Sequence, residues 1–411
     1  MEDYQIHEFP NGIRLIHRQV MGTKIAHCGF MMDIGSRDER ADQVGIAHFW
    51  EHMAFKGTKR RKAFHIINRL ETVGGDLNAY TTKEKICFHA SLLDSHFEKA
   101  VDLLTDITFN STFPDREIGK ERSVILEEMA MYEDDPADAI QDEFDLLMFG
   151  QHPLGMNILG TRDSVRKFHK SDFDYFIKSN LNTHRLVFAS VSALPFKIVK
   201  RVLEKYIADI PTYAAEHKRI PFSGYQARSK QVHKSISQSH CMMGNLAYSL
   251  YDNHRIPFSM LVNVLGGPGM NSKLNLSIRE KHGLAYSIYA NYNAFTDVGQ
   301  FSIQFASEPK VFKRCMNLVH KELDKLKNQP LGKIQLHHAK QQMMGQMAMS
   351  EEGNLGFMLM LGKSLLDLGK IESLARIFEQ IEAVDTSILM NMANEVFDES
   401  QLSYLMYLAD E

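Results

Sequence analysis

The sequence has few cysteines, no long apolar run and no excess of positive charge, and each absence excludes a class of protein. Its 411 residues include four cysteines, Cys28, Cys87, Cys241 and Cys315, and none forms a CxxC pair. Four scattered cysteines are not a disulfide framework, so we expect buried thiols. The formal net charge of -4 gives no basic field for nucleic acid. No apolar run approaches the roughly 18 residues of a membrane helix.

The amino-terminal segment MEDYQIHEFPNG is acidic and lacks the apolar core of a secretory signal. We therefore expect a cytoplasmic protein that binds neither nucleic acid nor membrane. The composition that remains is that of an ordinary globular protein, with 44% hydrophobic and 24% charged residues. The length suggests two or more domains, each able to bury a core.

A change of pattern near the middle of the chain predicts a linker. Between residues 211 and 232 periodicity is lost, prolines and a glycine appear, and lysines and arginines cluster. The predicted domains are therefore residues 1–210 and 233–411. The two halves resemble each other, since NAYT at 78–81 and NAFT at 293–296 are 215 residues apart. The same order of strand-like and helical segments follows both, which indicates a duplication.

Strand-length apolar runs alternate with longer helical patterns in each half. GIRLIHRQV, KIAHCGFMMDIG, KICFHASLL and HRLVFASVSA are rich in β-branched and aromatic residues, which is typical of strands. QVGIAHFWEHMAF, AFHIINRLETVG and REIGKERSVILEEMAMYE have the apolar spacing of helices. We predict an α+β fold of two homologous domains, each a mostly antiparallel or mixed sheet with helices packed on one face.

The segment HFWEH concentrates groups that can bind a metal. Positions i and i+4 lie on one face of a helix, so His48 and His52 can direct their imidazoles at a common point. Glu51 lies beside them and can reach a metal-bound water without being a ligand. This HxxEH spacing is the inverzincin signature. A zinc site of this kind needs a third protein ligand from elsewhere in the chain.

A second helical segment, ERSVILEEM, offers that ligand. Glu121 and Glu128 are seven residues apart, so they share a face of the helix. Carboxylates close to a buried side need a cationic partner. From this helix alone, a solvated face with salt bridges is the simpler interpretation.

Together the two segments resemble the insulinase, or pitrilysin, family of zinc peptidases, which includes the mitochondrial processing peptidases. Glu128 follows His52 by 76 residues, and Glu121 precedes Glu128 by seven, as in the family motif. The resemblance implies that His48, His52 and Glu128 bind zinc and that Glu51 is the general base. It implies that Glu121 hydrogen-bonds a ligand histidine and fixes its tautomer.

The resemblance also extends to segments that would bind substrate. In GGDLNAYTTKEKICFHASL it implies that Asn78 and Ala79 contact the peptide backbone, and that residues 85–92 form a sheet edge to which a peptide adds as a strand. In SIREKHGLAYS, Arg279 and Tyr286 resemble the Arg–Tyr pair of the family's second domain. Such a spacing is common by chance, but beside a complete zinc motif it indicates a substrate and oxyanion clamp.

The second half lacks a metal motif of its own. At the offset of 215, the zinc-site positions hold Asn263, Gly266, Gly267 and Met343. We therefore expect one Zn²⁺ per chain.

These features predict a zinc endopeptidase or oligopeptidase that hydrolyses peptides or unfolded segments inside a dimeric chamber. A homodimer would complete each site in trans, with the Arg–Tyr half of one chain facing the zinc half of the other. Two alternatives remain: a non-catalytic peptide-binding or assembly subunit of the same fold, and a heterodimer with a paralogue.

Overall fold

The computed structural model describes residues 4–216 and 218–410. The strands are β1 Tyr4–Glu8, β2 Arg14–Gln19, β3 Ile25–Met32, β4 Asp76–Thr81, β5 Ile86–Leu93, β6 Leu186–Ser192, β7 Ser229–Lys234, β8 Ser239–Ala247, β9 Ile288–Ala294, β10 Gly299–Ser307 and β11 Ser403–Ala409. The helices are α1 Ile46–Ala54, α2 Ala63–Glu71, α3 Phe97–Phe109, α4 Asp115–Asp134, α5 Pro136–Phe149, α6 Arg162–Lys167, α7 Lys170–Asn180, α8 Phe196–Ile207, α9 Arg255–Gly266, α10 Pro309–Asn328, α11 Lys333–Glu352, α12 Asn354–Leu368, α13 Leu374–Glu382 and α14 Thr386–Val396. Among these described residues, no helix has the length and apolar character needed to cross a bilayer.

The strands form two mixed sheets with the same topology, which confirms the predicted α+β fold of two related domains. The first sheet has the order β1-β2-β6-β3-β5-β4, and the second has the order β7-β11-β8-β10-β9. In both, one parallel pair, β2 with β6 or β7 with β11, is followed by three antiparallel pairs. The first sheet differs only in the additional outer strand β1. The shared order is what a duplication predicts.

Helices cover both faces of the first sheet. On one face α1, α3 and α8 pack against its strands, and Phe30 of β3 contacts Phe188 and Phe109. On the other face α12 lies across β2, β3 and β6, where Ala189 and Leu361 are buried. Every residue of β6 is consequently buried. This explains why β6 begins with the continuous apolar run LVFA and why its only polar residues are the small serines Ser190 and Ser192.

The second sheet has the same two-sided arrangement. One face packs on α9, α10 and α14 in a large core that includes Phe258, Phe301 and Phe397. The other face packs on α5, where Phe144 of the helix lies with Leu405 of β11. The sequence predicts a helical layer on one face of each sheet, and the structure adds a single helix on the opposite face of each.

The two added helices come from the opposite half of the chain. Contacts group residues 4–129, 156–219 and 349–373 in one compact unit, and residues 130–155, 220–348 and 374–410 in the other. The predicted boundary at 211–232 separates the two halves of the chain, but the compact units do not follow it exclusively. Helix α5, from the first half, belongs to the second unit, and α12, from the second half, belongs to the first unit. Part of the predicted linker is also packed, because Arg219 forms ion pairs with Asp33 and Asp38 of the first unit.

Candidate metal centre

Helix α1, which carries the HFWEH segment, begins at a glycine and is anchored by a buried glutamate. Gly45 has a φ of 98°, and a Cβ there would lie 2.6 Å from the carbonyl oxygen of Leu159. The Glu39 carboxylate accepts hydrogen bonds from the backbone N–H groups of Gly45 and Ala47, both at 2.8 Å. Burial raises the pKa of Glu39 well above its usual value, although these hydrogen bonds oppose the shift. Because the first N–H groups of a helix lack partners within it, Glu39 fixes the helix start next to His48.

Aromatic packing connects α1 to the beginning of α4. Phe49 of α1 contacts Phe173 edge-to-face, with 5.2 Å between ring centroids. Phe113 stacks on the same Phe173 ring at 4.8 Å, with 9° between the planes. Phe113 has a φ of 49°, a conformation that is rare for a bulky residue and persists only where packing enforces it. The stack therefore holds the chain just before α4 in a fixed relation to α1.

The side chains of His48, His52 and Glu128 converge, and their ligand atoms all lie within 4.8 Å of one another. The Nε2 atom of His48 is 3.7 Å from one carboxylate oxygen of Glu128, and the Nε2 atom of His52 is 3.4 Å from the other. Tetrahedral zinc with bonds of about 2.0–2.1 Å separates its ligand atoms by about 3.4 Å. The donor set and spacing thus fit a catalytic zinc site that leaves one position open. That the three residues bind zinc stays a prediction.

Glu121, which the resemblance implies as the partner of a ligand histidine, lies behind His52. Its carboxylate accepts a hydrogen bond from Nδ1 of His52 at 3.2 Å and pairs with Lys56 at 2.7 Å. A proton on Nδ1 leaves the lone pair of Nε2 free for a metal. Burial disfavours the charged form of His52, but hydrogen bonds to Glu121 and Glu128 raise its pKa to about 9. Burial and the neighbouring His52 lower the pKa of His48 to about 4.

The Glu51 side chain contacts Thr81, which lies outside the group of three converging side chains. Its Oε2 atom accepts a hydrogen bond from the hydroxyl of Thr81, at 2.5 Å, at the end of β4. Burial raises the pKa of Glu51, and the Thr81 hydrogen bond opposes this shift. The side chain is thus held by an orienting donor, which leaves its second oxygen available to accept a proton.

Three residues that support the site escape the sequence analysis. Thr81 ends the repeated NAYT segment, of which only the first two residues are predicted to act. Lys56 lies two residues past the end of α1 and four after His52, so its closeness in sequence to a candidate ligand was a usable signal. Glu39 has no such signal, because its contact with α1 depends on the fold of the intervening loop.

The edge of the first sheet next to α1 is β4, and the predicted edge at residues 85–92 is wrong. The strand β5 at this position lies between β3 and β4 and pairs with both. Asn78 and Ala79 lie on β4 itself, so the two residues predicted to contact substrate are on the true edge strand. Asn78 is exposed, and its side-chain oxygen accepts the N–H of Ala79 at 2.8 Å. Because only a short hairpin turn separates β4 from β5, the prediction placed the sheet edge one strand too late in the sequence.

An open cleft of about 350 Å³ adjoins the site. It is lined by Glu51, His52, Phe55, Lys56, Ile67, Glu71, Leu77, Asn78, Ala79 and Glu121. The cleft therefore reaches from the candidate catalytic groups to the edge strand.

The predicted Arg–Tyr pair lies in the second unit, and the structure brings its two members together. The Arg279 guanidinium lies over the Tyr286 ring at 5.1 Å from the centroid. Tyr286 is 82% exposed. Arg279 belongs to a π-helical turn, Asn275–Glu280, a distortion found frequently at functional sites. The pair forms an exposed cationic and hydroxyl surface, and its contact with substrate stays a prediction.

Comparison with known proteins identifies relatives along nearly the whole chain. Residues 15–162 match the insulinase family model (peptidase family M16), and residues 161–343 match the model of the peptidase M16 inactive domain. The uncharacterized zinc protease YmxG of Bacillus subtilis is 31% identical over 95% of this chain and 94% of its own. An uncharacterized zinc protease of Mycobacterium leprae, ML0855, is 32% identical over 95% of this chain and 88% of its own.

Solved structures show the same fold at lower identity. A crystal structure described as the peptidase M16 inactive domain from Pseudomonas fluorescens superposes with a TM-score of 0.91 at 19% identity, covering 100% of this chain and 99% of that one. A protease from Helicobacter pylori superposes with a TM-score of 0.89 at 20% identity, covering 98% and 99%. Together with the relatives above 30% identity, these matches show that the chain belongs to the insulinase family of peptidases, family M16.

Proposed function

We propose that this chain is a zinc-dependent peptidase that hydrolyses extended peptides and unfolded segments. The observation that carries the proposal is the convergence of His48, His52 and Glu128 next to Glu51. Two imidazoles, one carboxylate and a separate carboxylate nearby are the parts that metal-assisted peptide hydrolysis requires. The relatives named zinc proteases support the choice of metal.

The residues divide the work between holding the ion and moving protons. His48, His52 and Glu128 would hold Zn²⁺, with Glu121 fixing the tautomer of His52. A zinc ion bound there would supply a Lewis acid for the scissile carbonyl and would lower the pKa of a water toward about 7. Glu51 then accepts the proton of the attacking water and delivers it to the leaving amine. The hydroxyl of Thr81 keeps the Glu51 carboxylate in position for both steps.

The edge strand β4 accounts for the class of substrate. An extended peptide can add to this edge by main-chain hydrogen bonds, a mode that does not depend on side-chain sequence. Asn78 and Ala79 lie on β4, and Thr81, which holds Glu51, ends the same strand. The bond to be cleaved would thus be aligned with the proton acceptor. Folded proteins do not present a free extended segment of this kind.

We also propose that the working form is a homodimer in which each site is completed in trans. The support is the separation of functions between the two halves: the metal group lies in the first unit and the Arg279–Tyr286 pair lies in the second. Arg279 and Tyr286 of one chain would donate hydrogen bonds to the substrate carbonyl held by the other chain. Closed twofold symmetry makes both sites equivalent.

The isosteric change Glu51→Gln tests the peptidase assignment. We expect the variant to retain one zinc per chain, measured by mass spectrometry, and to lose hydrolysis of a mixed peptide library. Wild-type hydrolysis should stop when a chelator is added and return with zinc. Full activity in Glu51→Gln would refute the assignment. A wild-type chain without stoichiometric zinc or hydrolysis would instead indicate a non-catalytic peptide-binding subunit.

A further inference from the structure

We infer that the cleft beside Glu51, here called the Glu71 cleft, selects a substrate residue with a long, positively charged side chain. Glu71 would determine this preference by its charge. The cleft is lined by the ten residues from Glu51 to Glu121 named above. The inference rests on the proposed peptidase function and adds to it a class of substrate.

The position of the cleft determines which substrate residue enters it. Glu51 and His52 line one side, and the edge strand contributes Leu77, Asn78 and Ala79. A peptide paired with this edge and cleaved next to Glu51 places a side chain beside the scissile bond into the cleft. A volume of about 350 Å³ is near the lower limit of ligand pockets, so it suits a single side chain.

The walls of the cleft favour a long aliphatic stem. Phe55, Ile67 and Leu77 present apolar surface from α1, α2 and β4 or their ends. Ile67 is 41% exposed, so substrate contact would remove part of its surface from water. Lysine and arginine bury their methylene groups along such surfaces and keep their charge near solvent.

Glu71 provides the charge at the rim of the cleft. Glu121 is paired with Lys56 and His52, and Glu51 is bonded to Thr81. By contrast, the Glu71 carboxylate has no hydrogen bond or ion pair with any side chain in residues 4–216 and 218–410. It lies four residues after Ile67 on α2, so the two share a helix face.

The placement of Glu71 also argues against a structural role. It is the last residue of α2, where a negative charge opposes the helix macrodipole. A residue that breaks a local stability rule without a compensating contact is expected at functional positions. A substrate cation would supply the compensating charge.

Matched peptides test the inference. We would measure kcat/KM with the zinc-loaded full-length chain on peptides that carry lysine, norleucine or glutamate at each of the two positions flanking the scissile bond. Norleucine matches the lysine stem without its charge. The variants are Glu71→Gln and, as a control with the same charge change outside the cleft, Asp163→Asn, whose side chain is 87% exposed. Affinity of the same peptides for Glu51→Gln gives a second readout independent of turnover.

At one of the two positions, we expect wild-type protein to prefer lysine over norleucine by about three- to fivefold, the upper part of the range for an exposed ion pair. Glutamate should be the poorest residue there. Glu71→Gln should reduce the lysine preference to about one, and Asp163→Asn should preserve it. An equal lysine preference in wild type and Glu71→Gln would overturn the inference while leaving peptidase activity established. An absence of hydrolysis by the wild type would overturn the proposed function and this inference with it.

Discussion

The Glu121 carboxylate lies 3.2 Å from Nδ1 of His52, and it shares one face of α4 with Glu128. One helix thus carries both a candidate ligand and the group that orients another ligand. We predict that Glu121→Gln weakens zinc binding by about 10- to 100-fold, because the amide is a poorer acceptor for the imidazole N–H. A competition titration with a chromogenic chelator measures the affinity.

The control for this prediction is Glu117→Gln on the same helix, where the side chain pairs with the exposed Lys120. Its zinc affinity should equal that of the wild type. Equal affinities in all three proteins would show that the contact between Glu121 and His52 has no role in metal binding.

The capping of α1 by Glu39 predicts an effect on both stability and metal binding. Glu39→Ala leaves the backbone N–H groups of Gly45 and Ala47 without their acceptor. Each buried donor without a partner costs about 1–3 kcal/mol. We expect faster hydrogen exchange at the start of α1 and weaker zinc binding, since His48 follows Ala47 directly.

Glu39→Gln separates the hydrogen bonds from the charge. The amide retains one acceptor oxygen, so exchange rates between those of the wild type and Glu39→Ala are expected. Hydrogen exchange monitored by mass spectrometry on the peptide that contains α1 gives the comparison. Unchanged exchange in Glu39→Ala would mean that the rest of the fold holds α1 without the cap.

The sequence predicts those parts of the site that depend on helical spacing. His48 and His52 are one turn apart and Glu121 and Glu128 are two turns apart, so their shared faces follow from the geometry of a helix. The relation between Phe113 and Phe173 depends on a left-handed backbone conformation and a long-range ring stack, which leave no periodic signal. The contact between Glu39 and α1 also leaves no periodic signal in the sequence.

The exchange of α5 and α12 marks a similar limit at the level of the fold. An apolar stripe predicts that a helix is buried, but it does not determine which of two similar sheets the helix covers. The apolar face of α12 containing Leu361 and Leu365 packs on the first sheet, although it follows most of the second half in sequence. Local patterns predict elements well, and the assignment of elements to sheets requires the tertiary contacts.

This exchange predicts that a change in the second half of the chain destabilises the first unit. Leu361 is fully buried against the first sheet, and Leu361→Ala should cost about 2–4 kcal/mol through the cavity that it creates. We expect faster hydrogen exchange in β3 and β6, with little change in β8 and β10. The control Lys363→Ala alters an exposed position of the same helix. Equal effects on both sheets would contradict the assignment of α12 to the first unit.

Completion of the site in trans predicts a specific pattern of complementation. Arg279→Ala should reduce kcat/KM by about 100-fold, the effect of losing one oxyanion donor, and Glu51→Gln should be inactive. A dimer purified with two different tags, one chain carrying each change, contains one site with both defects and one intact site. We therefore expect about half of the wild-type activity per dimer.

The matched control is a mixed dimer in which one chain carries Glu51→Gln and the other carries His52→Ala. Both changes lie in the zinc half of their chain. Every zinc half is then defective, so no activity is expected from the mixed dimer. Activity in the first mixed dimer and none in the second would support completion between chains. If the first mixed dimer is also inactive, although both tags co-purify, each chain must supply its own Arg279 and Tyr286, and the trans arrangement is refuted.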